Sequence, residues 1–234
     1  MALEIKLISF DAWDTLLRLR LISNGISERI GELSNLSPAA VYKRMIEVYE
    51  EVKDKWILGK VEDSKLIHEA QGSLAEKLGV PAEIIRRGVF EAFDRLNAED
   101  ALYPEVVEVL EDLSRDFQLA VVSNVLFWPG SCTRKILEEA GISRFFKVQL
   151  YADEVGVSKP DRRIFVKACE LCGVDVRNVV HVGDSILDDV GGALASGMRA
   201  VLIRRDLGEP KLVREVGLAL IPNLSHLRRV ISDL

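Results

Sequence analysis

The chain has 234 residues, 48% of them hydrophobic and 29% charged, with a formal net charge of −6. Apolar content of this order excludes intrinsic disorder, and an acidic chain without a basic stripe excludes nucleic acid as a partner. No apolar run approaches the ~18–20 residues of a membrane span, and three cysteines do not make a secreted disulfide framework, so a cytoplasmic protein that avoids the membrane is expected.

The opening, MALEIKLISFD, carries Glu4 where an export signal has positive charge, and it runs directly into a strand pattern. That strand covers residues 6–10 and ends at Asp11. The next buried-strand pattern begins at Gln118, and the long interval between them is helical. A first helix is expected over roughly 23–36. A second, 38–58, opens on Pro38 and carries Val41, Met45, Val48, Tyr49, Val52 and Trp56 at spacings of three and four. A third, 63–78, stops at Gly79, and a fourth, 81–97, starts at Pro81. Four helices of this length can bury a seam of their own, so residues 18–98 read as an inserted helical domain.

Beyond it the chain alternates. A helix from Pro104 presents Val106, Val109, Leu110 and Leu113 on one face, then comes the strand LAVVSN. A helix over 129–140, a strand over 148–151 and a helix over 161–172 follow, then the strand VVHVGD, a helix over 186–196 and the strand AVLIRR. Apolar strands alternating with helices specify an α/β fold whose parallel sheet is covered on both faces, here built from residues 1–17 and 99–234. In such sheets the chemistry lies outside the carboxyl ends of the strands. Polar residues at those ends are Asp11, Ser123, Asn124 and Asp184, with Lys159 in the loop VSKPD and the pair Asp188 and Asp189 just after Asp184.

The stretches FDAWDTL at 10–16, VVSN at 121–124, SKPD at 158–161 and GDSILDDVGGALASGM at 183–198 together resemble the haloacid dehalogenase superfamily. The resemblance is to the subfamily with a helical cap inserted after the first strand. It implies a Rossmann-like core with a four-helix-bundle cap, Asp11 as nucleophile and Asp184 as a metal ligand. The chemistry of the residues agrees. Clustered carboxylates raise one another's pKa unless a cation neutralises them, and all-oxygen ligands with water suit Mg²⁺. Lys159 and the Ser123 hydroxyl supply positive charge and a donor for phosphoryl oxygens, with Asn124 beside them. Asp189 is expected to face the site with the metal, whereas Asp188 caps or solvates the helix start.

The sequence departs from the family at Trp13, where the common phosphatase motif has a second Asp that acts as acid and base. An indole N–H only donates, although the Trp13 main-chain carbonyl could still bind Mg²⁺, as that position does in the family. Losing a positioned acid–base typically costs ~10²–10⁴ in rate. A turn or capping role is expected for Asp14, in preference to a relocated acid.

The combined reading is a Mg²⁺-dependent hydrolase acting on a small phosphorylated metabolite through an aspartyl-phosphate. The rival is a metal-free 2-haloacid dehalogenase, a group that carries an aromatic residue at the position of Trp13 but lacks the acid at Asp184. A catalytically silent binding protein on the same fold is the third reading. The C-x-x-C formed by Cys169 and Cys172, the strand residue His181 and the helical Trp56 are expected to pack structurally, and Arg44 is a candidate anion ligand in the cap. No sequence feature specifies an oligomeric state.

Overall fold

A computed structural model describes residues 4–234. Its sheet contains β1 (Leu7–Phe10), β2 (Gln118–Ser123), β3 (Phe146–Tyr151), β4 (Val179–Gly183), β5 (Arg199–Ile203), β6 (Lys211–Val213) and β7 (Leu218–Ile221). The strand order is β3-β2-β1-β4-β5-β7-β6, parallel throughout except for the antiparallel β6–β7 edge. Every residue of β1 and β4 is buried, as continuous apolar strands require when helices cover both sheet faces. From β1 the chain builds outward through β2 and β3, then crosses to β4 on the other side. The order therefore reverses at β1, and the carboxyl ends of β1, β2 and β4 open into one crevice.

Between β1 and β2 the chain first forms four long helices, α1 (Leu19–Ser34), α2 (Pro38–Ile57), α3 (Leu66–Leu78) and α4 (Ala82–Arg95), and then the shorter Ala98–Ala101 and Val106–Leu113. Each of the four long helices packs against two of the others, α1 on α2 and α4, and α3 on α2 and α4. Local chemistry sets their ends. Ser37 accepts a bond from the Ala40 N–H with Pro38 at the first helical position, and Gly79 closes α3 in the left-handed region. The first helix begins at Leu19, four residues earlier than its apolar pattern indicates, because Asp14 caps it: its Oδ1 accepts from the Leu19 N–H at 3.1 Å. Asp14 itself sits at φ 56°, a turn conformation that Asp tolerates. This is the turn and capping role expected of it.

One apolar cluster runs without a break from the sheet through Trp13, Leu16 and Leu17 into Ile22, Val41 and Phe93 of the helices. A second covers the opposite sheet face and contains Leu7, Val122, Phe165, Cys169 and Cys172. Both of those cysteines are free and buried, and burial pushes the Cys169 thiol up to about 12, which leaves it chemically quiet. Two parts of the chain differ from the sequence expectation. The stretch 186–196 is a π-helical turn, Ile186–Gly191, followed by the short helix Gly192–Ala195. Past residue 205, where no elements were expected, β6 and β7 extend the sheet and a final helix, Leu227–Asp233, packs Leu227 and Val230 inward. The four-residue run of β7 is too short to be told from a buried turn by periodicity alone.

Candidate active site

Asp11 directly follows β1, and its own N–H donates to the Val182 carbonyl at 2.8 Å, which fixes it between β1 and β4. Only 7% exposed, it faces into the crevice. Its Oδ1 accepts from Ser123 Oγ at 3.1 Å and from Lys159 Nζ at 2.7 Å. Lys159, 1% exposed, donates a second bond to Asp189 Oδ1 at 2.6 Å. Burial disfavours the lysine's charge, yet the two carboxylates hold its pKa above the ordinary range. Burial likewise pushes the Asp11 carboxyl up to about 6, against the pull of Lys159. Asn124 lies on the cavity wall, but its side-chain amide is bonded both ways to the Lys159 main chain, donating to the carbonyl at 2.9 Å and accepting from the N–H at 2.8 Å. It thus fixes the loop that carries the lysine.

Asp189 is buried, and both of its oxygens already accept hydrogen bonds. Oδ1 takes Lys159 and His181 Nε2, the latter at 3.0 Å, and Oδ2 takes the Ser185 N–H at 2.9 Å. Burial opposes its ionisation, but Lys159 and the imidazole outweigh that and hold it well below the usual carboxylate range. With Asp189 ionised, His181 Nε2 carries the proton and Nδ1 accepts from Ser9 Oγ at 2.8 Å. Burial lowers the His181 pKa, so the neutral ring persists. The chain Ser9–His181–Asp189–Lys159–Asp11 is therefore one continuous buried polar network. Ser9 and His181 sit opposite each other in the β1–β4 register. Gly183 is needed for the same reason: a Cβ there would lie 2.1 Å from the Asp189 Cγ. Alternation along VVHVG places His181 and Gly183 on one face, so this contact was open to sequence reasoning.

The π-turn explains why both members of the acidic pair reach the crevice region. A wider turn inserts an extra residue, and such turns recur at functional sites. Asp189 turns inward to Lys159, whereas Asp188 meets Lys53 of α2 at 3.1 Å, a contact from helical insert to core that the sequence did not suggest. One Asp188 oxygen, Oδ1, is buried with no partner among the described residues. Other ties cross the same seam. Gln71 Nε2 donates to the Phe127 carbonyl at 2.7 Å, and Asp63 Oδ1 accepts from both the Ser158 N–H at 2.8 Å and Trp56 Nε1 at 3.2 Å. Arg44 is paired with Glu47 on exposed α2 and does not line the crevice, so its candidacy as an anion ligand fails.

Trp13, 8% exposed, lies edge-on to Trp128 at 5.1 Å and to Phe93 at 6.3 Å, with Nε1 donating to Thr133 Oγ1 at 3.2 Å. Its ring braces the seam between α4 and the core. Its carbonyl accepts no hydrogen bond among the described residues.

Asp184 follows β4 and opens to the cleft. Although part of its surface meets solvent, protein surrounds most of it, and this crowding, with Asp11 and Asp189 nearby, pushes its carboxyl up to about 8. Among the described residues, no three Asp, Glu, His or Cys side chains converge as a metal cluster by themselves. Of the three carboxylates expected as ligands, Asp189 has its oxygens engaged by Lys159, His181 and the Ser185 N–H. Asp11 and Asp184 add two carboxylates in acidic excess to the crevice, with the Trp13 carbonyl, unbonded among the described residues, in the same loop as Asp11. That donor chemistry fits a hard divalent cation that keeps several waters.

The crevice continues into a cavity of about 450 Å³ between α2 and the core. A family model described as haloacid dehalogenase-like hydrolase matches residues 5–197. Phosphoserine phosphatase of Thermus thermophilus is 36% identical over 136 residues, which is 58% of this chain and 53% of that protein. The chain thus spans about half the length of that relative. The Escherichia coli 5-amino-6-(5-phospho-D-ribitylamino)uracil phosphatase YigB is 26% identical over 94% of this chain and 92% of its own. Among solved structures, a 2-haloacid dehalogenase from Pseudomonas syringae pv. Tomato superimposes with a TM-score of 0.67 at 25% identity, covering 98% of this chain and 99% of that one. No helix among the described residues is long and apolar enough to cross a membrane.

Proposed function

The chain belongs to the haloacid dehalogenase-like hydrolases, and from that premise we propose that it is a Mg²⁺-dependent phosphatase acting on a small phosphate monoester. Residues 1–17 and 99–234 form the catalytic core in this reading, and 18–98 the cap. The observation that carries it is Asp184, a carboxyl raised by its surroundings beside Asp11, against the weaker pull of Lys159. Displacing halide from carbon needs no cation there, whereas bringing a phosphate dianion against Asp11 does. Asp11, Asp184 and the Trp13 carbonyl would hold Mg²⁺, which when bound neutralises charge on the phosphoryl oxygens.

The chain's own residues supply the rest. Asp11 attacks phosphorus, the ester P–O bond breaks, and an aspartyl-phosphate forms. Lys159, gripped by Asp189, and the Ser123 hydroxyl meet phosphoryl oxygens as their charge grows. Asn124 and Asp189 position Lys159 and do not contact substrate. The leaving oxygen takes its proton from water in the cleft, because Trp13 has none to give and Asp14 is held by Leu19 and Tyr103. Water then attacks phosphorus and frees Asp11. Turnover is correspondingly modest, about 10²–10⁴ below a site with a positioned acid–base.

The rival reading, a 2-haloacid dehalogenase, draws on the apolar wall around Trp13 and on the structural likeness to the Pseudomonas enzyme. Trapping separates the two. Acid-quenched protein with an aryl phosphate and Mg²⁺ should carry a hydroxylamine-sensitive phosphoryl mass on the peptide containing Asp11. Halide release from a 2-haloacid, with no phosphorylated peptide, would overturn the phosphatase reading.

A further inference from the structure

The cavity has two ends. At one stand Asp11, Ser123 and Lys159; the other is built by the side chains of α2 and the loop after β2, with Met45, Ile46, Tyr49 and Trp56 facing Phe127 and Trp128 across the seam. Charge on the wall is lopsided. Among the described residues, Asp11, Asp14, Glu50, Asp184, Asp188 and Asp189 are acidic, and only Lys53 and Lys159 are basic. Neither lysine is left for an acid group on the leaving group: Lys159, held between Asp11 and Asp189, serves the phosphoryl oxygens, and Asp188 binds Lys53 at 3.1 Å. A carboxylate on the leaving group would enter an apolar wall edged by acids, with no cation to pair it, and an unpaired buried charge is costly.

Resting on the phosphatase reading above, we propose that the leaving group is an uncharged alcohol carrying an aromatic or similarly bulky apolar group, and that phosphate esters bearing a carboxylate are rejected. The aromatic wall of Tyr49, Trp56, Phe127 and Trp128 takes the ring. Specificity here differs from that implied by the name of the Thermus relative, whose substrate carries a carboxylate. About 450 Å³ holds a single ring with its phosphate and leaves a two-carbon ester loosely held.

Three alkyl phosphates whose leaving oxygen sits on a methylene separate recognition from leaving-group activation: benzyl phosphate, ethyl phosphate and phosphoglycolate. With Mg²⁺ and the full chain, kcat/KM for benzyl phosphate should exceed that for ethyl phosphate by about tenfold or more, the scale of a filled apolar pocket. Phosphoglycolate should fall below ethyl phosphate. Ile46→Arg, at a position 48% exposed that tolerates charge, should reverse the order of benzyl phosphate and phosphoglycolate. Asp188→Asn, which frees Lys53 without added bulk, should shift the same ratio in the same direction. Phosphoglycolate turned over as well as benzyl phosphate by the unmodified protein, or a ratio unmoved by both variants, would overturn the assignment. Hydrolysis of none of the three, nor of an aryl phosphate, would instead remove the phosphatase reading and this inference with it.

Discussion

Replacing Lys159 by Met removes the charge and keeps the buried stem. Lys159 Nζ lies 2.7 Å from Asp11 and 2.6 Å from Asp189, and the residue is 1% exposed, so both carboxylates lose their cation where water cannot replace it. Breaking a buried ion pair from one side costs about 3–5 kcal/mol, a large share of the ~5–15 kcal/mol that holds a domain together. The two partners respond differently. Asp189 keeps His181 and the Ser185 N–H and stays ionised, whereas Asp11, already raised to about 6, escapes by taking up a proton. A raised folded-state carboxyl binds protons that the unfolded chain releases, so stability falls as pH rises through that pKa. The loss should therefore be largest near pH 8 and smaller by about 1–2 kcal/mol at pH 5, where Asp11 is protonated with or without the lysine. Urea unfolding at both pH values, in chelator, measures it. A loss under about 1 kcal/mol, or one equal at the two pH values, would refute the placement of Lys159 as the counter-ion of this network.

In chelator, the melting temperature of the unmodified protein should fall from pH 5 to pH 8, because Asp11 at about 6 and Asp184 at about 8 hold protons that the unfolded state has lost. Asp184→Asn should flatten that slope and Mg²⁺ should reduce it; a melting temperature that rises over this range would contradict both assignments. Trp13→Asp should lose about 3–5 kcal/mol in urea unfolding, since it removes the brace between Phe93 and Trp128, and Trp13→Phe should keep most of it. Equal stability of the Asp variant would show that the indole braces nothing. Gly183→Ala drives a Cβ into Asp189 and should cost about 1–3 kcal/mol and at least tenfold in turnover, with a full-activity variant as the contrary result.

Much of the architecture was legible because each signal was local. Pro38 and Gly79 punctuate helices through their own backbones, and the apolar run at β4 announces a strand buried on both faces. The strand-end residues Asp11, Ser123, Asp184 and the loop residue Lys159 could be collected because parallel sheets align their carboxyl ends, and the structure brings them to one crevice. What escaped was decided by register and turn width. Ser9 meets His181 only once β1 and β4 are paired in a particular alignment. A regular helix would turn one of Asp188 and Asp189 inward and the other outward, but the π-turn directs Asp189 to Lys159 and Asp188 to Lys53. No spacing in the chain links Lys53 to Asp188, which lie 135 residues apart. The sequence around Trp13 shows the proton it cannot transfer, but its packing across the seam depends on Phe93 and Trp128, which come from distant segments.

The central claim is that Asp11 attacks phosphorus with a divalent cation on its neighbours. Hydrolysis of an aryl phosphate, followed as phosphate release with Mg²⁺ and with chelator, and with Asp11→Asn alongside, tests it most directly. Turnover that needs both the cation and Asp11 is the predicted result. Turnover that survives either chelation or the Asn substitution would contradict the account.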